Sequence, residues 1–265
     1  MKTIKLGEDA NMLTTEQRRN EIVSLLHAKG RVRVTELAER FGISDVSIRK
    51  DLEHLEMQGH LTRVHGGAVG MNKLYVNMDL AERYKTNAAA KKQLAKAVAS
   101  LIEDNDTVMM NAGTTLSYVL HALQGKRNIT LVTNSLQNAM EASLYPSFNV
   151  KLLGGEYDAK YQFTFGEDAI TQLENYHATK CILSVDGFSA SAGLTLYYSN
   201  EVAVARKMIS RADTLIVAAD GTKLGKTTFA RITGAEEADI LVTSKGGDAG
   251  EMEQISALGV RILET

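Results

Sequence analysis

Residues 34–68, VTELAERFGISDVSIRKDLEHLEMQGHLTRVHGGA, leave the chain the fewest structural alternatives. The run reads as two short helices joined by a tight turn, then a small β-hairpin. Thr35 is placed to cap the first helix, whose apolar face is Leu37, Ala38 and Phe41. Gly42 suits the left-handed position that ends a helix and turns the chain. Ser44 caps the second helix, where Ile48, Leu52 and Leu55, at spacing i, i+4, i+7, form one buried stripe. Gly59 closes that helix. Leu61-Thr62-Arg63-Val64-His65 then alternates apolar with polar and runs into Gly66-Gly67, a strand and turn of wing type.

Asp45, Ser47, Arg49 and Lys50 stand between the stripe positions, near the start of the second helix. That is where a helix lying in a DNA major groove meets base edges and phosphates. The candidate DNA-contacting set is therefore Thr35, Ser44, Asp45, Ser47, Arg49 and Lys50 on the helix pair, with Arg63 and His65 on the wing. Any helical hairpin can expose Arg and Lys to solvent. Here the cap, turn, stripe, basic face and wing also follow one another in the order that a winged helix-turn-helix requires. The stretch SIRKDLEHLEMQGHLTRVHGGA resembles the signature of the DeoR/GlpR family of bacterial transcription regulators, most of them repressors of sugar catabolism. The resemblance implies a winged helix-turn-helix and a C-terminal domain that senses phosphorylated sugars.

At 265 residues the chain is long enough for a small domain and a medium one. Net charge is −2, and the N-terminal 70 residues hold 11 Lys/Arg against 10 Asp/Glu. DNA binding then depends on basic side chains gathered on one face rather than on bulk field. No apolar run approaches the roughly 18 residues of a membrane span, and MKTIKLGEDANM has no signal-peptide core, so the expected location is cytoplasmic. A single cysteine, Cys181 in CILSV, reads as a buried thiol. The six histidines show no metal-ligand spacing, so neither a metal site nor a cofactor is expected.

The chain divides by periodicity into a disordered tail at 1–13, the winged helix-turn-helix at 14–70, a linker at 71–87 and an effector domain at 88–265. Thr14 to Gln17 is a capping-box pattern that opens a helix with Ile22, Leu25 and Leu26 inward and Gly30 at its end. Arg18 and Arg19 in its first turns are either phosphate contacts or solvated charges. Arg31 to Val34 alternates like a strand that would pair with the wing. After an alanine-rich helix at 88–102, apolar strands alternate with loops of Gly, Ser, Thr and Asn and with amphipathic helices. That pattern argues an α/β domain with a parallel sheet covered on both faces.

Polar residues gather where strands end: Asn111 to Thr115, Thr133 to Ser135, Gly154 to Glu156, Asp186-Gly187 and Asp220 to Lys226. Ligands of open α/β sheets bind at the carboxyl ends of the strands. Gly113-Thr114-Thr115 opens a helix whose N–H groups and hydroxyls can hold an anion, and Thr133-Asn134-Ser135 repeats the arrangement. Each loop alone is also ordinary turn and cap chemistry. Tyr157 and Tyr161 are further candidates for the pocket wall.

The family's effector domain is similar to the ribose-5-phosphate isomerase and CoA-transferase folds, and its motifs are recognisable as AGTT, VTNS, LLGGE, DG and the DxxK of Asp220 to Lys223. The resemblance implicates Asn111, Gly113, Thr114, Thr115, Thr133, Asn134, Ser135, Gly154, Gly155, Asp186, Gly187, Asp220 and Lys223 in effector binding. Three positions depart from the family pattern. Asn111 stands where the family has Asp, Ser244 where it has the Asp of a VTD, and Ala205 where a Lys is common.

Asp220 to Thr227, DGTKLGKT, comes one residue short of a phosphate-binding P-loop, since Asp220 takes the first Gly position. TFARI after it reads as β rather than as the helix that such a loop needs. The expected protein is a non-enzymatic regulator, a repressor of a carbohydrate-catabolic operon. A phosphorylated sugar would release it from double-stranded operator DNA, and it would act as a homo-oligomer, a dimer or tetramer. The competing expectation is a sugar-phosphate isomerase or acyl-transfer enzyme with an accessory DNA-binding domain, with Asp186 or Asp220 as base and Lys223 holding the anion.

Overall fold

The computed structural model describes residues 14–57, 61–70 and 80–265. The expected tail at 1–13, the closure at Gly59 and the first part of the linker, 71–79, lie outside the described residues. The chain forms two compact units that part between Lys73 and Leu74.

In the first unit, α1 (Thr15–Lys29) opens with the full capping box. The Thr14 side chain accepts from Gln17 N, and the Gln17 side chain accepts from Thr14 N. β1 (Arg31–Arg33) pairs with β3 (Gly67–Gly70), which pairs with β2 (Leu61–Val64), giving an antiparallel order β1-β3-β2. Between them stand α2 (Val34–Phe41) and α3 (Asp45–Met57). Ile48, Leu52 and Leu55 of α3 pack with Ile22, Leu26 and Leu37 into one core.

Two local expectations are corrected. Thr35 does not cap α2: the helix begins at Val34, its cap position is Arg33, and no side chain bonds there. The backbone does the work instead, because Val34 N donates to Gly66 O of the wing turn at 2.9 Å. Arg18 and Arg19 are not freely solvated charges, being 13% and 26% exposed. Their Nε atoms donate to Asp51 at 2.7 and 2.8 Å, and Asp51 is only 2% exposed. The pair bolts α1 to the inner side of α3.

The stretch before the alanine-rich helix carries structure of its own. Residues 80–85, assigned above to the linker, form helix α4 (Leu80–Lys85), followed by α5 (Ala88–Ser100). Among the described residues, seven strands build a wholly parallel sheet. In spatial order they are β15 (Arg261–Glu264), β14 (Ile240–Thr243), β12 (Ala212–Ala218), β9 (Ala178–Ser184), β4 (Thr107–Met110), β5 (Thr130–Thr133) and β6 (Asn149–Leu152). The central strands are buried on both faces, as their apolar runs require. Leu94 and Val98 of α5 and Leu116, Val119 and Leu120 of α6 (Thr114–Ala122) belong to the core on one face. The other core takes Ala169 and Leu173 of α8 (Glu167–Leu173) and Val204, Ala205 and Met208 of α9 (Ser199–Ser210).

Four smaller pieces follow among the described residues. α7 (Leu136–Ala142) links β5 to β6, and β7 (Glu156–Asp158) pairs with β8 (Phe163–Phe165) in a hairpin. β10 (Gly187–Ser189), β11 (Gly193–Leu196) and β13 (Ala230–Thr233) form a separate antiparallel sheet. α10 (Ala249–Ala257) joins β14 to β15. From β4 the chain steps outward to β5 and β6, then returns to β9 on the other flank of β4 and continues outward to β12, β14 and β15. The direction of winding therefore reverses between β4 and β9. Loops leaving those two strands part there, and a crevice opens at their carboxyl ends.

Candidate functional site

On the DNA-binding unit, Ser44 Oγ accepts from Ser47 N at 3.3 Å and caps α3, so the start of that helix is fixed and open to solvent. Asp45, Arg49 and Lys50 are exposed and Ser47 is half-buried. Val46, 63% exposed, stands among them and had no signal in the sequence beyond its falling off the apolar stripe. Thr35 is exposed in the first turn of α2. On the wing, His65 is exposed at the β2–β3 turn. Arg63 is engaged: its Nε donates to Glu56 Oε2 at 2.7 Å and its N to Glu56 Oε1 at 2.8 Å. This pairing raises the Arg63 guanidinium's pKa and lowers that of Glu56.

In the second unit a small pocket opens at the β4–β9 crevice. Ala112, Gly113 and Thr114 reach it from β4, and Ser184, Val185 and Asp186 from β9. Leu80 and Arg83 of α4, Tyr161 and Phe163 of the β7–β8 hairpin, and Leu196, Tyr198 and Glu201 complete the wall. Gly113 is required by close approach, since a Cβ there would lie 2.8 Å from the Ser184 Cβ.

A hydrogen-bonded set backs this wall. Asn111, fully buried, donates through Nδ2 to Ser184 O and to Glu201 Oε1, both at 3.1 Å, and its Oδ1 accepts from Ser184 N at 2.9 Å. Ala112 N also donates to Glu201 Oε1, at 3.0 Å. Glu201 is 4% exposed. Burial raises its carboxyl to about 8, against the Ala112 N–H, which lowers it, and with nearby Asp186, which adds to the rise. Asp186 is itself oriented, accepting from Tyr197 N at 3.0 Å.

A cation also reaches the pocket wall. The Arg83 guanidinium lies 4.7 Å from the centre of the Tyr161 ring and 5.7 Å from that of Tyr198, and its Nη2 donates to Tyr198 Oη at 3.2 Å. Behind Thr114, the buried Lys91 donates through Nζ to Thr114 Oγ1 at 3.0 Å and to Arg83 O at 2.7 Å. Burial lowers Lys91 to about 8, although Asp220 pulls it upward; the charges of Lys223 and Arg83 add to the lowering.

The five sequence loops do not all open onto this pocket. Gly113, Thr114 and Asp186 line it, Asn111 lies buried behind the lining residues Ser184 and Glu201, and Thr115 and Gly187 lie buried beside it. Thr133, Asn134 and Ser135 are buried and bond within their own loop, to the start of α7 and to the β7–β8 hairpin. Thr133 Oγ1 accepts from Ser135 N, Asn134 Nδ2 donates to Thr164 O at 2.9 Å, and Ser135 caps α7. Gly154 N donates to Gln172 Oε1, and Gly155, at φ 130°, passes so near Phe165 O that a Cβ would sit 2.3 Å from it. These two loops act at one remove, by holding the hairpin that delivers Tyr161 and Phe163. Tyr157 is exposed and outside the pocket lining. Asp220 caps a 3₁₀ turn at Gly221–Lys223 and accepts from Asn87 Nδ2 at 3.4 Å. Lys223 is buried near it, and both act on Lys91 through their charge.

The P-loop resemblance ends here, because the segment after Gly225 leads into β13 rather than a helix. Ser244 Oγ accepts from Gly221 N at 3.0 Å, doing with a hydroxyl what a carboxylate could do. Ala205 is fully buried in the core. Sequence reasoning missed Arg83, Lys91, Tyr198 and Glu201. Each is a polar residue in or beside an otherwise amphipathic helix, and nothing local distinguishes it from a solvated one.

A winged helix-turn-helix with an open α3 face, followed by an α/β unit with a pocket at its strand ends, defines a DNA-binding regulator. Residues 18–73 match the DeoR-like helix-turn-helix domain and residues 86–245 the DeoR C terminal sensor domain. The chain belongs to the DeoR family of transcriptional regulators. It is 31% identical to the HTH-type transcriptional regulator YulB of Bacillus subtilis, over 95% of this chain and 96% of that one. It is also 31% identical to the lactose phosphotransferase system repressor of Streptococcus mutans, over 86% and 91%. Among solved structures, ribose 5 phosphate isomerase A from Neisseria gonorrhoeae overlays 52% of this chain and 53% of its own, at 15% identity and a TM-score of 0.38. Among the described residues, no helix is long and apolar enough to cross a membrane.

Proposed function

We propose that this regulator is a cytoplasmic repressor of a carbohydrate-catabolic operon, released from its operator by a phosphorylated sugar. The observation that carries the reading is the pocket at the β4–β9 crevice, whose wall holds both a guanidinium and two carboxyl side chains. Arg83 and the Thr114 start of α6 suit a phosphate. Asp186 and the Glu201 carboxyl suit the hydroxyls of a small polyol. The repressor names of relatives, such as the lactose phosphotransferase system repressor, support the direction of control.

On the DNA side, α3 enters the major groove with Asp45, Ser47, Arg49 and Lys50 toward bases and phosphates. Exposed Val46 suits the methyl group of a thymine. His65 follows the backbone from the wing, while Thr35 and Ser44 meet phosphates from the helix starts. The protein acts as a homo-oligomer, because one winged helix covers little DNA and two-fold operators need two-fold proteins. The effector releases DNA by favouring the arrangement that binds DNA less well, with a coupling of about 1–3 kcal/mol.

The test is fluorescence anisotropy of labelled DNA from upstream of the gene and its neighbours, at fixed salt, with a panel of phosphorylated sugars. Tight binding that is lost with one sugar phosphate and kept with the unphosphorylated sugar is expected. Equal release by both forms would overturn the phosphate assignment, and tight binding that no panel member alters would overturn sugar-phosphate control.

A further inference from the structure

Arg83 is the one cationic side chain lining the pocket among the described residues, yet it comes from no strand-end loop. It belongs to α4, the first described element of the second unit, which the chain enters through residues 71–79 after leaving the DNA-binding unit. Leu80, at the start of the same helix, also lines the pocket. A six-residue helix has little stability of its own, so its position is set by what holds it.

Several of the holds converge on α6. Lys91 Nζ bridges Arg83 O and Thr114 Oγ1, at 2.7 and 3.0 Å. Tyr84 Oη and Ser117 Oγ are 2.6 Å apart, and Tyr118 Oη donates to Tyr84 O at 2.9 Å. The guanidinium itself is oriented by the faces of Tyr161 and Tyr198, whose rings lie 4.1 Å apart. An oriented guanidinium loses less freedom when it takes up an anion. An anion seated between Arg83 and Thr114 would add a direct tether between α4 and α6 beside the Lys91 bridge.

We propose that Arg83 reads the anionic group of the effector, and that α4 carries the occupancy of the pocket back along the chain toward the DNA-binding unit. The inference rests on the sugar-phosphate reading above and adds to it the residue and the element through which control passes. The ligand enters a pocket wholly within the second unit, and the chain segment leading to the first unit starts at the pocket wall. Differential tethering of α4 between empty and filled states supplies the preference that a population shift needs.

The experiment is hydrogen–deuterium exchange of the full-length wild-type protein, alone and with ribose 5-phosphate, fructose 1-phosphate, glucose 6-phosphate or the unphosphorylated sugars. Operator release is titrated in parallel for wild type, Arg83→Gln and Arg83→Lys. With the sugar phosphate that releases DNA, amides of 80–87 are expected to exchange at least about threefold more slowly, as a locally tightened segment does. Arg83→Gln is expected to raise the concentration for half-release by about tenfold or more, the scale of one charge-assisted hydrogen bond, and Arg83→Lys to recover part of it. Protection at 111–115 and 184–187 with none at 80–87 would overturn the proposal and leave sugar-phosphate control standing. So would half-release of Arg83→Gln at the wild-type concentration. If no sugar phosphate alters exchange or DNA affinity in the wild type, both readings fall. Should Arg83→Gln not fold, seen as loss of its melting transition, the wild-type exchange pattern decides.

Discussion

Asn111 Nδ2 donates to Glu201 Oε1 at 3.1 Å, joining the end of β4 to the first turn of α9 behind the pocket lining. The same amide group bonds Ser184 O, so a single side chain ties three segments together. Its donor character matters, because both partners are acceptors.

Asn111→Asp replaces that donor with a carboxylate facing a carbonyl and a second carboxyl. The variant is expected to lose about 2–3 kcal/mol, the cost of leaving buried acceptors unpaired. The loss should be larger at pH 8.5 than at pH 6, since two carboxyls facing each other need a shared proton. Urea unfolding at both pH values measures it. Unchanged stability at both would mean that the amide's two bonds contribute nothing net.

Glu201 makes stability depend on pH with a definite sign. Its carboxyl stays protonated in the folded state up to about 8, whereas it ionises near its model value of 4.5 when unfolded. Between those values the folded state binds more protons, so stability falls as pH rises, by up to about 1.4 kcal/mol per pH unit. Glu201→Gln should remove this contribution and gain on the wild type steadily from pH 5 to 8. A gap between the two proteins that does not change with pH would sink the assignment. Lys91, lowered from 10.5 to about 8, acts with the opposite sign above pH 8, where stability rises with pH, so the comparison belongs below that value.

The two arginines of the DNA-binding face should behave differently. Arg49 is exposed on α3, and Arg49→Ala is expected to weaken specific binding by about 1–3 kcal/mol, the worth of a bidentate base contact. Arg63 is already bonded to Glu56, so Arg63→Ala should cost less affinity than Arg49→Ala. Anisotropy with operator DNA at one salt concentration ranks them, and the reverse order would move recognition to the wing.

Asp51 accepts from Arg18 and Arg19 in a site from which water is nearly excluded. Asp51→Ala should destabilise the DNA-binding unit by about 3 kcal/mol, the low end for breaking a buried ion pair, because both arginines keep some access to solvent. Thermal melts followed by helix signal would register it, and a melt within a degree of the wild type would contradict it.

What could be read without a structure was what depends on near neighbours in the chain. The Thr14–Gln17 box, the Ile48–Leu52–Leu55 stripe, the turn at Gly42 and the alternation of apolar strands with helices are all set within a few residues. They sufficed for the winged helix-turn-helix, the parallel sheet, and the Gly113, Thr114 and Asp186 part of the pocket. Sequence alone thus determined which elements form and which strand ends could bear a site. The tertiary structure decided which loops face the crevice and which, like Thr133 to Ser135, seat a hairpin. It also decided the fate of the charges. Arg83 meets Tyr198 across 115 residues, and Asn111 meets Glu201 across 90. A charged side chain goes inside only where distant elements bring partners and exclude water, and no local pattern encodes that.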